Sequence, residues 1–365
     1  MILNQTRVEQ VIDREIRAPF VKELVVVRIR VAGGGEVPLA MVRKRCPSLG
    51  GSLGTVLLTH GYGQNRYAWH LPARSLANYL ARAGFDVFNL DLRGHGRSRH
   101  LGARRPSHVS VFVKEDIPAV VEEIQRLSTP RGRPVFLVGH SLGGLISYGA
   151  ATECQGAVGG VVTLGSPYLF TRGSRSLALL GQLMLAVDRR LPLGEGALAL
   201  KGWGEALRLA RVFVESPVFP LPIRGFAPRS MEPTVLAQHM SLAMDHGSIT
   251  VLRNMFLDAA EWRRSKKRLG GLSGYAEAFE ALKLPLLVVA GSHDDLAPPA
   301  SVAPAFERSA SPDKTYRVFP RGHIDILMGR DAPQTIWPLV GAWLTSRAAR
   351  ETDRGEPKAT PAPAA

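Results

Sequence analysis

The chain has 365 residues, of which 45% are hydrophobic and 21% are charged, so it has enough apolar residues to bury a large core and its body is not intrinsically disordered. Its formal net charge of +15 favours contact with anionic surfaces. No helix-turn-helix, zinc or RNA-binding signature accompanies this charge, so we expect no specific nucleic-acid partner and interpret the basic run at residues 263–268 as the solvated end of a helix.

The two cysteines and the N-terminal segment bear on the cellular compartment. Cys46 and Cys154 have no metal-ligand spacing and are too few for a disulfide framework, so we expect two buried free thiols. Residues 1–20 lack the continuous apolar run of a secretory signal, which predicts a cytoplasmic location.

Alternating apolar runs and helical patterns predict an α/β fold. Residues 22–31 and 36–45 are β-rich and flank Gly33, Gly34 and Gly35, a pattern typical of a hairpin at the antiparallel edge of a sheet. Further strands are predicted at residues 55–59, 87–90, 135–138, 160–164, 286–290 and 316–319. Helical spacing between them indicates a mostly parallel sheet flanked by helices, with Asp116 as the N-cap of one helix.

The regular alternation is interrupted once. We predict a core from residues 1–167 and 285–349, a helical cap or lid inserted at residues 168–284, and a disordered tail at residues 350–365. The cap contains an apolar helical stretch at residues 177–187, which is too short to cross a bilayer but leaves open a position on a lipid surface.

Ser141 is the predicted nucleophile. It lies in Gly139-His140-Ser141-Leu142-Gly143, which follows a buried strand and precedes a helix. A serine on such a sharp strand-to-helix turn has an exposed hydroxyl, and the glycines prevent clashes with its neighbours. The alternative is a glycine-rich turn with an incidental serine, but the flanking strand and helix favour catalysis.

A serine nucleophile needs a base, an acid that orients the base, and donors for the oxyanion. Later strands run into His323, the predicted base, and into Asp294, the predicted acid, with Asp295 as a rival acid. The backbone N–H groups of Leu142 and Tyr62 are the predicted oxyanion donors.

The other histidines have structural interpretations. We expect His140 to pack beside the nucleophile and His95 to fix its own loop. His293 has no second ligand at metal spacing, so the sequence predicts neither a metal nor an organic cofactor.

Together these motifs resemble the α/β-hydrolase superfamily over roughly residues 55–344, with the cap excepted. The runs HGYGQ and SLANYLARAGFDVFNLDLRGHGRSR are similar to acid lipases of the gastric and lysosomal type, although DLRGHGRS is the commoner esterase form of that loop. The run GHIDILMG resembles bacterial hydrolases related to polyhydroxyalkanoate synthases, which use cysteine where this chain has Ser141. The resemblance implies the triad Ser141, Asp294 and His323.

These observations predict a serine hydrolase that cleaves small-molecule carboxylic esters with an apolar acyl chain through an acyl-enzyme. An acyltransferase with a thioester donor would use the same triad, and the sequence does not separate the two. A non-catalytic protein of this fold that binds lipid or acidic surfaces is the alternative of another class, and the intact triad argues against it.

Overall fold

A computed structural model describes residues 1–31, 35–47, 49, 52–128, 133–191, 193–194, 196–209, 223, 225–265 and 275–355. At residues 203, 207, 262–265 and 350–355 it describes the backbone but not the side chain. Its centre is a nine-stranded sheet in the order β1-β2-β3-β5-β4-β6-β7-β10-β11. The strands are β1 Ile2–Asp13, β2 Ile16–Val31, β3 Gly35–Arg45, β4 Thr55–Thr59, β5 Asp86–Asp91, β6 Val135–His140, β7 Val158–Leu164, β10 Leu286–Gly291 and β11 Lys314–Phe319. A separate two-stranded ribbon joins β8 Ala197–Leu198 to β9 Gly247–Ser248.

The sheet is parallel from β5 to β11 and antiparallel from β1 to β5. The predicted hairpin of residues 22–31 and 36–45 is confirmed as the pair β2 and β3, while Gly33 and Gly34 of its turn lie outside the described residues. Strand β1 was not predicted. Most of it is exposed, so burial imposes no apolar alternation on its sequence.

Helices cover both faces of the sheet. They are α1 Leu76–Arg82, α2 Gly96–His100, α3 Val109–Val111, α4 Ile117–Leu127, α5 Leu142–Glu153, α6 Arg175–Arg190, α7 Leu200–Leu209, α8 Pro233–Gln238, α9 Ile249–Ser265, α10 Ala276–Ala281, α11 Pro299–Val302, α12 Pro304–Arg308, α13 Asp325–Met328 and α14 Ile336–Gly355. A short 3₁₀ helix spans Arg66–Ala68, and π-helical turns span Phe112–Asp116 and His239–Ala243.

Successive residues of β4 contribute to the two sides of the core. Leu57 belongs to one buried cluster, together with Ile124 of α4, while Leu58 belongs to another with Trp337 of α14. A fully buried strand of this kind presents both faces to helices, which explains its continuous apolar sequence. Cys46 and Cys154 are both buried and form no disulfide with each other, as predicted.

The predicted N-cap role of Asp116 is wrong. The helical run already begins at Val109, and Asp116 has helical φ and ψ of −73° and −55° at the end of the π-helical turn, without a capping hydrogen bond. Its carboxylate instead accepts a hydrogen bond of 2.9 Å from Nε of Arg93. The carboxylate is fully buried, so it needs this cationic partner more than the helix needs a cap.

Helices also occupy much of the region between β7 and β10. Helix α6 includes the predicted stretch 177–187, and α9 includes residues 251–259. Leu177, Leu185 and Phe256 form an apolar cluster of their own between these two helices. Within the described residues, no helix is long and apolar enough to cross a membrane.

Two other predicted segments fall partly outside the described residues. Of the basic run 263–268, residues 266–268 are outside, and of the segment 350–365, residues 356–365 are outside. Helix α14 continues through residues 350–355, the first part of the predicted tail.

Candidate active site

Ser141 occupies a strained turn between β6 and α5. Its φ of +53° and ψ of −120° lie in a region that residues with a Cβ rarely adopt. The chain around it is tightly packed, since a Cβ on Gly143 would overlap the carbonyl group of Thr59. The sharp turn places the serine at the carboxyl end of β6, where open α/β sheets bind their ligands.

His323 and Asp294 come together at the same edge of the sheet. His323 follows β11, Asp294 follows β10, and Nδ1 of the histidine lies 2.8 Å from Oδ2 of the carboxylate. The other carboxylate oxygen of Asp294 accepts hydrogen bonds from the N–H groups of Leu296 and Ala297, at 2.9 and 2.7 Å. Asp294 is therefore held in place on both of its oxygens.

Asp295, the rival acid, points elsewhere. Its Oδ1 accepts a hydrogen bond of 3.0 Å from the backbone N–H of Gly225, in the region between β7 and β10. The imidazole of His323 is hydrogen-bonded to Asp294. Asp294 therefore contacts the imidazole of His323, whereas Asp295 contacts the backbone of Gly225.

The surroundings of His323 favour its protonated form. Burial lowers its pKa, but the charge and hydrogen bond of Asp294, with smaller contributions from Asp295 and Asp325, raise the pKa above its ordinary value of 6.5. A base with this environment accepts a proton readily.

Gly165, which has a φ of +54°, leaves room for the side chains of Asp294 and His323, because a Cβ there would lie 3.1 Å from Oδ2 of Asp294.

Gln64 connects the predicted oxyanion loop to the nucleophile turn, a role that the sequence analysis missed. Its Oε1 accepts a hydrogen bond of 3.1 Å from the N–H of Gly61 and lies 3.3 Å from Nδ1 of His140. Nε2 of His140 in turn lies 2.9 Å from the carbonyl oxygen of His323. His140 therefore packs beside the nucleophile, as expected, and also contacts the loop of the base.

The predicted oxyanion donors lie on the same cavity as the nucleophile. Tyr62 and Leu142 line it together with Ser141. Within the described residues, neither of their backbone N–H groups donates to a protein acceptor. The phenol of Tyr62 is engaged elsewhere, since its hydroxyl donates to the carbonyl oxygen of Ser248 at 2.8 Å.

The remaining predicted histidines lie apart from this chemistry. His95 is buried, and its Nδ1 lies 3.0 Å from the carbonyl oxygen of Arg93, which fixes the loop as expected. His293 is exposed beside the acids.

Ser141 and His323 open onto one cavity of about 520 Å³. Nearly all of its remaining lining is aliphatic, aromatic or thioether, and much of that comes from the region between β7 and β10. This apolar part is Pro167, Phe170, Leu177, Leu180, Leu198, Leu200, Ile223, Met240, Met244, Leu252, Met255, Phe256, Leu296, Ala297 and Ile324.

Known proteins are similar to this chain in sequence. The family described as serine aminopeptidase, S33, matches residues 51–201, which is less than half of the chain. A monoacylglycerol lipase of Mycolicibacterium smegmatis is 27% identical over 299 residues, covering 80% of this chain and 88% of the relative.

Solved structures show the same architecture. The monoacylglycerol lipase of Paleococcus ferrophilus superposes with a TM-score of 0.57 and 24% identity, over 85% of this chain and 99% of that one. A soluble variant of monoglyceride lipase from Saccharomyces cerevisiae, solved with a substrate analogue, gives a TM-score of 0.60 and 16% identity over 88% and 96% of the two chains. The chain has the α/β-hydrolase fold. The relative and both of these structural neighbours are monoacylglycerol or monoglyceride lipases.

Asp325 is a second residue of the site region that the sequence analysis left without a role. It is fully buried, and its two carboxylate oxygens accept hydrogen bonds from the N–H groups of Gly322 and Ala227 at 3.0 and 3.2 Å. Asp325 therefore fixes the loop that carries His323. The signal was present, since Asp325 lies inside the run GHIDILMG that carries one of the resemblances.

Proposed function

We propose that this hydrolase cleaves esters with an apolar acyl chain through an acyl-enzyme formed on Ser141. The observation that carries the proposal is the cavity of about 520 Å³ onto which Ser141 and His323 open, because its other walls are almost entirely apolar. Cavities of this size bury most of a small ligand, and apolar walls select apolar groups. An acyl chain lying along these walls would place its carbonyl carbon at the serine.

In the proposed reaction Oγ of Ser141 attacks the ester carbonyl carbon while Nε2 of His323 takes the hydroxyl proton. Asp294 holds the imidazole by Nδ1 and stabilises its positive charge. The N–H groups of Tyr62 and Leu142 donate to the oxyanion of the tetrahedral intermediate. The intermediate then expels the alcohol, which receives the proton from His323 and leaves the acyl group on the serine.

Deacylation repeats these steps with water. His323 takes a proton from the water, the hydroxide attacks the acyl-enzyme, and the proton returns to Oγ of Ser141 as the acid leaves. A thiol or alcohol in place of water would complete an acyl transfer instead. In an assay with an added alcohol, the ratio of free acid to newly formed ester measures whether water or the alcohol accepts the acyl group.

The lining of the cavity argues against a peptide substrate with a free amino terminus. A bound ammonium group requires a carboxylate or several acceptors to replace its hydration. No Asp or Glu is among the described residues that line the cavity. An uncharged ester fits these walls better than the substrate that the family name implies.

The outer face of α6 supports a substrate drawn from a lipid surface. Leu179, Leu183 and Val187 are 56%, 57% and 48% exposed, and they follow one another at helical spacing. Leu180 is 47% exposed and also lines the cavity. The exposed apolar face of α6 is thus continuous with the acyl site, so a lipid ester could pass from a surface into the cavity without crossing water.

The test combines covalent labelling with hydrolysis. A fluorophosphonate probe should label the wild-type protein at Ser141, since only an activated serine reacts at a useful rate. Ser141→Ala should lose labelling and lose hydrolysis of p-nitrophenyl hexanoate by a factor on the order of 10⁶. Ser147→Ala is a matched control, because Ser147 is a buried serine on α5 whose hydroxyl bonds to the carbonyl oxygen of Gly143. Ser141→Ala activity within about tenfold of wild type would exclude the proposed nucleophile.

A further inference from the structure

A second cavity, of about 360 Å³, lies on the antiparallel side of the sheet and shares no lining residue with the acyl site. Strands β1, β2, β3 and β5 and the 3₁₀ helix Arg66–Ala68 surround it. Its charged lining is mostly cationic, with Arg17, Lys22, Lys44 and Arg66 against the single carboxylate of Glu9.

Two lysines face each other across strands at this cavity. Lys22 of β2 and Lys44 of β3 are register partners, so their side chains project from the same face of the sheet. Like charges directly opposite each other destabilise a sheet. Lys44 is also only 2% exposed, which makes its charge costly to hold.

Neither lysine has an anionic partner within the described residues. Nζ of Lys44 donates to Oε1 of Gln10 and to Oδ1 of Asn78, both at 2.7 Å, and lies 3.2 Å from Nδ1 of His70. Gln10 and Asn78 are uncharged amides. His70 is also neutral, because burial and the nearby charges of Lys44 and Lys22 lower its pKa well below the ordinary value. Lys22 forms no ion pair with any residue that the structure describes.

The carboxylates nearby do not compensate for the two lysines. Asp91 already binds the guanidinium group of Arg66 at 2.5 Å and two backbone N–H groups. Glu9 lines the cavity but is exposed, and exposed Arg17 faces the same space. Burial and the neighbouring cations accordingly lower the pKa of both Lys22 and Lys44.

The buried amide oxygen of Asn89 indicates which chemical groups a ligand of this cavity must carry. Oδ1 of Asn89 is buried without a hydrogen-bond partner in the described part of the chain, while Nδ2 of the same amide donates to the carbonyl oxygen of Arg66 at 2.9 Å. A ligand that satisfies this side of the cavity must therefore carry a donor as well as negative charge. A phosphate group supplies about two negative charges, enough for two lysines, whereas a carboxylate supplies one.

We propose that the cavity between Lys22, Lys44 and Asn89 binds a phosphate group, as the free ion or as the ester of a small polyol. Lysines bind phosphate oxygens as point charges, and a hydroxyl of the phosphate or of the polyol donates to Oδ1 of Asn89. The ligand would remove the repulsion between the lysines, so binding should stabilise the fold.

The test measures phosphate binding by calorimetry and by the shift in Tm, with sodium chloride adjusted to keep the ionic strength constant. Wild type should bind inorganic phosphate or glycerol 3-phosphate saturably, with a higher Tm. Lys22→Gln should weaken binding about tenfold, because it removes a charge-assisted hydrogen bond, and should leave ester hydrolysis unchanged. Arg30→Gln, an exposed cation on β2 that does not line the cavity, is the matched control and should bind like wild type.

Two arms distinguish the source of the phosphate. Tight binding of glycerol 3-phosphate without binding to vesicles of phosphatidylcholine and phosphatidic acid indicates a soluble metabolite, whereas vesicle binding that Lys22→Gln abolishes indicates a lipid headgroup. If Lys22→Gln does not fold, Arg17→Gln on the rim replaces it. The proposal is wrong if neither phosphate ligand changes Tm beyond the effect of chloride, or if Lys22→Gln and Arg30→Gln respond equally to phosphate.

Discussion

Nδ1 of His323 lies 2.8 Å from Oδ2 of Asp294, and both residues are at least 95% buried. In so protected a position the carboxylate acts on the imidazole with little screening by solvent. Three carboxylates, those of Asp294, Asp295 and Asp325, raise the pKa of His323 against the opposing effect of burial. The contact therefore orients the base and also fixes the pH range in which the base is neutral.

The pH dependence of hydrolysis follows from that raised pKa. Catalysis requires neutral His323, so kcat/KM should rise with pH through an apparent pKa above the ordinary value of 6.5. Asp295→Asn removes one of the charges that raise this pKa while keeping an acceptor for Gly225, so its profile should shift to lower pH. Profiles from about pH 5 to about pH 9 on a non-titrating ester measure both midpoints. A flat wild-type profile, or an Asp295→Asn midpoint above that of wild type, would contradict this assignment.

The two adjacent carboxylates should differ strongly in their effect on rate. Asp294→Asn should lower kcat by a factor on the order of 10⁴, because the amide favours the wrong tautomer of His323. Asp295→Asn should stay within about tenfold of wild type, since Asp295 bonds to Gly225 and not to the imidazole. Steady-state kinetics of both variants on one ester decides the matter. A larger loss of kcat in Asp295→Asn than in Asp294→Asn would show that Asp295 is the acid that orients His323.

Gly165→Ala tests how closely the acid and base are packed. The new methyl group would lie 3.1 Å from Oδ2 of Asp294 and 3.4 Å from Nδ1 of His323, so we expect kcat to fall at least tenfold. Gly156→Ala is the control for backbone strain, because Gly156 has a φ of +83° and nothing lies within 4 Å of its added Cβ. Both variants should lose about 1 kcal/mol of unfolding free energy, measured with urea, but only Gly165→Ala should lose activity. Equal activities would show that the pair tolerates the methyl group.

The apolar cavity predicts a preference for longer acyl chains. Each buried methylene contributes about 0.8 kcal/mol, so kcat/KM should rise about fourfold per methylene until the cavity is full. Met255→Trp fills part of the cavity and should move the optimum to shorter chains. Leu257→Trp, on the same helix but 45% exposed and outside the lining, should not. Equal kcat/KM for acetate, hexanoate and dodecanoate esters of p-nitrophenol would exclude an acyl site in this cavity.

The sequence by itself determined the features that depend on neighbours along the chain. Central parallel strands such as β6 are buried on both faces, so their sequences are short apolar runs, and the turn at Ser141 is marked by glycines within two residues of it. His323 and the pair Asp294 and Asp295 were located because each lies a few residues after the end of a predicted strand. Strand β1 left no comparable mark, because most of its side chains face solvent.

Only the tertiary structure decided which groups meet. Asp294 and Asp295 are adjacent in the sequence, and the sequence alone does not show which of them contacts the base. Their roles differ because the N–H of Gly225, some 70 residues away, donates to Asp295, while the imidazole of His323 bonds to Asp294. The opposition of Lys22 and Lys44 likewise arises from the register of β2 on β3. Periodicity and turn residues encode local conformation, whereas the direction of a side chain and its partner depend on contacts between distant segments, which a single sequence does not display.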